Sequence, residues 1–177
     1  MNANQKLFLA INIIGGILVI GSYYFGLRGG KGVDVLWGGV PENIKPIYTI
    51  SMLICAVGYF IFFSYIISNL GGETFKSTYW LGEKLFLILF ALILVASALW
   101  MPLVNVMVGN PSTLVWVGIR IVLAVVALAS LGVVVALITI SPRPTGAFYY
   151  SALIGMIWFT IHTGILDAIV WPYLWGK

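Results

Sequence analysis

Residues 85–104 read LFLILFALILVASALWMPLV. This run has no charge and no side-chain amide, and its one hydroxyl is Ser97. A helix rises about 1.5 Å per residue, so about 20 apolar residues cross a hydrocarbon layer of roughly 30 Å. A helix is also what the run must form there, because each backbone amide has to be satisfied within its own segment. Four more runs of the same kind flank it, at 7–27, 47–68, 113–140 and 146–171. A membrane barrel needs segments of about ten residues with alternating polarity, and these runs are unbroken. The pattern predicts an all-α fold, a polytopic membrane protein whose residues 1–177 form a single five-helix transmembrane domain. The lipid bilayer is then its first partner. The run at 7–27 exceeds a signal-peptide core and has no small-residue cleavage pattern after it, so it is expected to stay as a helix.

Composition agrees. Hydrophobic residues make up 62% of the 177 and charged residues 8%, against roughly 45–50% and about 25% in soluble domains. These values exclude a soluble globular domain, a disordered tail and a nucleic-acid-binding domain. The net charge of +4 belongs to loop residues beside lipid headgroups. The single cysteine, Cys55, excludes an intrachain disulfide and a CxxC pair. Its apolar surroundings read as those of a small buried hydrophobe.

The loops alternate in character. The first, 28–46, holds glycines, prolines and Trp37; the second, 69–84, is polar; the third centres on Asn105, Asn110 and Pro111. The fourth is the tight Ser141-Pro142-Arg143-Pro144 turn, whose prolines end the fourth helix. Lys6, Lys76, Lys84 and Arg143 fall on one side, and Arg28, Lys31, Lys45 and Lys177 on the other. The positive-inside rule therefore gives no orientation. No internal repeat supports an inverted-repeat transporter. The Gly26–Gly32 stretch around Lys31 lacks the spacing and the Ser/Thr of a phosphate loop.

Ionisable groups inside spans cost about 2.5–3.5 kcal/mol on the insertion scale, which singles out Arg120, His162 and Asp167. In a hairpin turning near residue 143, Arg120 and Asp167 lie at similar depth. They are expected to pair, as a helix clamp or as polar anchors of a cavity, unless Arg120 snorkels to the interface. His162 is the only histidine, so bis-His haem ligation within one chain is excluded. A packing role, a single axial ligand or a pairing across a dimer stay open. Spacing puts His162 on the face of Trp158, opposite a Thr160–Gly164–Ala168 stripe suited to helix packing. Trp37, Trp80, Trp116, Trp171 and Trp175 fall near span ends, as interfacial aromatics do. Trp100 and Trp158 lie deeper, where they either pack in the core or stack on a flat ligand. The 170–177 stretch fits the loose V-x-x-Y-x-x-x-K pattern proposed for cholesterol contact, and equally an interfacial anchor.

Several segments resemble the translocator protein family, also called tryptophan-rich sensory proteins. Ala98-Leu99-Trp100-Met101-Pro102-Leu103 is similar to the family's W-x-P segment. Trp158-Phe159 followed by Leu166-Asp167-Ala168-Ile169-Val170-Trp171 resembles its W-x-x-F…L-N-x-x-[IV]-W stretch, with Asp167 in place of the asparagine. Pro46-Ile47-Tyr48-Thr49 and Gly58-Tyr59 are similar to its P-x-W-T…M-G-Y, with three more residues between them. Trp37 and Lys45-Pro46 echo its first-loop signature. The resemblance implies a five-helix bundle, often a homodimer, that takes a flat hydrophobic small molecule in a pocket capped by the first loop. Trp100, Pro102, Trp158 and Asp167 would line that pocket. A tetrapyrrole or a sterol is implied as ligand, and no resident cofactor or metal is identified.

Together these readings predict a non-enzymatic membrane protein that binds a hydrophobic ligand as sensor or carrier. The candidate binding residues are Trp37, Trp100, Pro102, Arg120, Trp158, His162 and Asp167. The same polar groups and small-residue stripe also permit an accessory subunit of a larger membrane complex. A transporter would want polar groups in more helices, and an enzyme more candidate groups than the spans contain.

Overall fold

The computed structural model describes residues 1–28, 37–72, 75 and 82–176. Lys31, Glu73, Lys76, Trp80 and Lys177 lie outside the described residues, and with them the interfacial role expected of Trp80. The described part is all-helical. We number the helices α1 (Ala3–Arg28), α2 (Lys45–Asn69), α3 (Lys84–Gly109), α4 (Thr113–Thr139) and α5 (Ala147–Leu174). Each is long and apolar enough to cross a bilayer.

Helix α3 runs five residues past the expected end at 104. Pro102 lies inside it, where the missing N–H leaves one rung of the ladder open without ending the helix. Asn105, expected in a loop, lies in α3 against Gly26 of α1.

The helices pack in the order α1, α3, α4, α5, α2 around the bundle. Contact between α1 and α2 is slight. It closes the ring near the start of α1, where the Gln5 side-chain amide donates to the Ile67 carbonyl at 3.0 Å and Phe8 stacks on Phe63. The tightest crossing joins α2 to α5. A methyl carbon added to Gly155 would lie 2.9 Å from the Gly58 Cα, so the two backbones touch. Only glycine allows that approach.

Two cores divide the bundle along its length. The first, beside the second and fourth loops, is built from phenylalanine and tyrosine: Phe8, Phe62, Phe86, Phe90 and Tyr149 are fully or almost fully buried. The second, beside the first and third loops, gathers Trp37, Trp100, Trp116, Trp171 and Trp175 around Tyr48 and Val104. The outward surface is apolar along the whole length, with Ile17, Leu53, Phe60, Val95, Leu128 and Ile154 all exposed. A soluble fold would bury residues of this kind.

Candidate polar site in the tryptophan half

The second half of α5 changes winding. Ala147–Ile161 is α-helical, His162–Val170 is a π-helix, and Trp171–Leu174 returns to α. A π segment bonds each N–H five residues back instead of four, and such segments recur at functional sites. Thr160 and Thr163 donate their hydroxyls to the Met156 and Phe159 carbonyls, each at 2.9 Å, where the change begins. Hydroxyls bonded to backbone in this way compete with the regular ladder and bend helices. The Leu166 carbonyl accepts from the Trp171 N–H and, at 2.8 Å, from the Tyr48 hydroxyl of α2.

The π segment presents His162 and Asp167 toward α2. His162 is buried, and its Nδ1 lies 2.8 Å from the Ser51 Oγ. Cys55 lies one turn further along α2 and is buried. With Ser51 donating to Nδ1, the other ring nitrogen carries the N–H and faces Asp167, whose Oδ2 is 3.6 Å from Nε2. That distance allows electrostatic attraction but exceeds a hydrogen bond. Asp167 lies deep among protein atoms, yet 32% of its side-chain surface is open. It lies within electrostatic range of Tyr23 of α1 and of Tyr48 and Cys55 of α2. It therefore faces the side of the bundle where α1 and α2 hardly touch.

Aromatic rings wall this region. Tyr23 lies 5.8 Å from Trp100, and Trp100 lies 5.5 Å from Trp171, centroid to centroid. Tyr48 meets His162 at 6.3 Å and Trp37 at 5.9 Å, both edge-on. The Trp100 indole N–H is buried without an acceptor among the described residues, which is unusual for a tryptophan in a core. Near the first loop, Lys45 binds Glu42 at 2.6 Å and lies 5.8 Å from the centre of the Trp37 ring.

Of the seven candidates from the sequence, the structure brings together Trp37, Trp100, His162 and Asp167. Three turn elsewhere. Arg120 is exposed on the outer face of α4 and makes no ion pair with Asp167 among the described residues. The hairpin register fits the depth, but α4 turns Arg120 outward and α5 turns Asp167 toward α2. Pro102 is exposed on α3. Trp158 is 38% exposed while His162, one turn on, is 6% exposed, so the two do not share a face. Of the Thr160–Gly164–Ala168 stripe, Gly164 approaches Ala127 of α4, and beside it Thr163 Oγ1 lies 3.3 Å from Ser130 Oγ. Sequence reasoning missed Tyr23, Tyr48 and Ser51. Tyr48 and Ser51 carried a usable signal, two hydroxyls one turn apart in an apolar span.

Two surface grooves lie away from this site. One of about 420 Å³ runs between α3 and α4 along Leu85, Leu128 and Gly132. The other, of about 310 Å³, lies beside Tyr65, Asn69 and Arg143. Among the described residues, no three His, Cys, Asp or Glu side chains gather as a metal site would need. Neither family models, nor curated proteins, nor solved structures give a match to this chain.

Proposed function

We propose that this chain is an integral multi-pass membrane protein that binds a flat hydrophobic small molecule inside its tryptophan half, as a sensor or carrier. The membrane reading rests on five long apolar helices with an apolar outer surface. The binding reading rests on one observation above the rest. Asp167 keeps a third of its side-chain surface open in the half of the bundle lined by aromatic rings, which also holds an indole N–H with no acceptor among the described residues. A few polar groups in an apolar, aromatic recess are what a small-molecule site requires. A buried donor left unmet is costly, and a ligand acceptor would offset that cost. The resemblance to the translocator family points the same way and is part of the proposal.

Ser51, His162 and Asp167 have the connectivity of a nucleophile, a base and an orienting carboxylate. Their geometry argues for anchoring instead of catalysis. Ser51 is buried, and the histidine–aspartate contact is 3.6 Å, longer than a hydrogen bond.

The test is a titration of the purified protein in detergent with cholesterol and, separately, protoporphyrin IX, following tryptophan fluorescence and thermal unfolding. A ligand that binds the native state alone stabilises it by about 2.7 kcal/mol at a hundredfold excess over Kd. Saturable binding to either that weakens in Trp100→Phe supports the proposal; no binding by a stable, monodisperse sample overturns it for these ligands. One observation favours a second reading, an accessory subunit. Arg120 sits on the outer face of α4 with no ion pair among the described residues, where an acidic group of a partner would neutralise it. Copurification of one stoichiometric partner, lost in Arg120→Leu, would favour that reading.

A further inference from the structure

We infer that the molecule held in the tryptophan half is a lipophilic cation, an aromatic or polycyclic amine whose charged nitrogen meets Asp167. The inference rests on the binding reading above and narrows it. Among the described residues, the one basic group within ion-pair reach of Asp167 is His162. That imidazole is committed on its other side to Ser51, so at most one N–H is turned toward the carboxylate, at 3.6 Å. An ionised carboxylate has about four acceptor positions on its two oxygens. Nearly all of that capacity is unspent, on a side chain 32% open.

Among the described residues the other cations of this half do not fill it: Arg28 lies over the Tyr24 ring at the end of α1. Arg120 points out of the bundle, and Lys45 binds Glu42 on the first-loop side, over the Trp37 ring. An anionic ligand would bring negative charge to a carboxyl group with no strong counterion among the described residues, and a neutral hydrocarbon would leave its acceptor positions unmet. A cation supplies the missing counterion. The walls suit it as well, since the faces of tryptophan and tyrosine attract positive charge, and Tyr23, Trp100, Tyr48 and Trp171 ring the site. The unmet Trp100 N–H adds a place for a neutral acceptor, such as an ether or carbonyl oxygen, on the same ligand. Carboxylate-bearing tetrapyrroles are disfavoured by the same argument.

Three probes with one ring test this: 1-pyrenemethylamine, 1-pyrenemethanol and 1-pyrenecarboxylate. Each is titrated into the full chain in uncharged maltoside detergent, with empty micelles as blank, reading energy transfer from tryptophan to pyrene. The expected order of affinity is amine, then alcohol, then acid, with at least a tenfold gap between amine and acid. Asp167→Asn should bring the amine to the level of the alcohol and leave the alcohol unchanged. The wild-type order is a test on its own if that variant does not fold. Alcohol binding as tight as amine binding would overturn the cation inference and leave the site reading standing. Saturable binding of none of the three would overturn both. Displacement of the amine by short-chain phosphatidylcholine, but not phosphatidylglycerol, would assign the cation to a lipid headgroup; no displacement by either assigns it to a free amphiphile.

Discussion

The two halves of the bundle use different aromatic residues. Around Phe62 and Phe90 the phenylalanine rings stack and meet edge-on at 4.7–5.7 Å, and Tyr59 is the polar ring packed among them. The polar groups of that half mostly satisfy one another. Tyr59 donates to Asn12, Tyr149 donates to the Leu137 carbonyl, and Asn4 donates to Glu83. Among the described residues the exception there is the second Glu83 oxygen, which is buried without a partner. Around Trp100 and Trp171 each ring carries an N–H, and hydroxyl, imidazole and carboxylate groups sit among the rings. Phenylalanine fills space and asks for nothing else, whereas tryptophan brings a donor into the core. The first half is built to be complete. The second retains polar capacity that the described residues do not use, so the two should respond to mutation in opposite ways.

The largest effect on stability should come from the phenylalanine half. Phe90 is fully buried and touches the rings of Phe8, Tyr59 and Phe62. Phe90→Ala is expected to cost about 3–5 kcal/mol through lost contacts and a cavity, measured by unfolding in mixed micelles with rising SDS. Next comes the crossing of α2 and α5. Gly155→Val forces side-chain atoms into the Gly58 backbone and should cost about 1–3 kcal/mol in the same assay. If it costs nothing, the backbones are further apart than described.

Smaller effects belong to the tryptophan half. Ser51→Ala removes the hydrogen bond to His162 and should cost about 1 kcal/mol, with ligand binding weakened through a freed imidazole. A loss as large as that of Phe90→Ala would break the contrast, because His162 would then be a structural keystone. Smallest of all, Arg120→Gln changes an exposed residue with no ion pair among the described residues and should move stability by less than about 0.5 kcal/mol. A large loss would revive the clamp with Asp167.

The spans were legible because lipid crossing sets a length that sequence must meet. Four of the five runs agree with the helices to within about four residues at each end. The other, 85–104, stopped short because Asn105 reads as a loop residue, whereas it packs in α3 beside Gly26. Facing was hard to read. Arg120 and Trp158 turn outward on helices that are apolar on every side. When inside and outside are equally apolar, periodicity carries no direction. The π segment added a second obstacle, since beyond His162 a count of four residues no longer returns to the same face. His162 and Asp167 were found because intramembrane charge is expensive wherever it points. Ser51 and Tyr48 were missed because a hydroxyl in an apolar span is cheap when it bonds backbone, and only their joint spacing marks them.

The central claim is that Asp167 serves a ligand and not the fold. The most direct test is thermal unfolding of the wild type and Asp167→Asn in the same detergent, each with and without 1-pyrenemethylamine. In a chain of this size, 1 kcal/mol shifts Tm by roughly 2–4 °C. The account predicts that the variant without ligand unfolds within about 3 °C of the wild type, and that the rise in Tm caused by the amine is confined to the wild type. A variant that falls by about 10 °C without ligand, or that keeps the full ligand-induced rise, would contradict it.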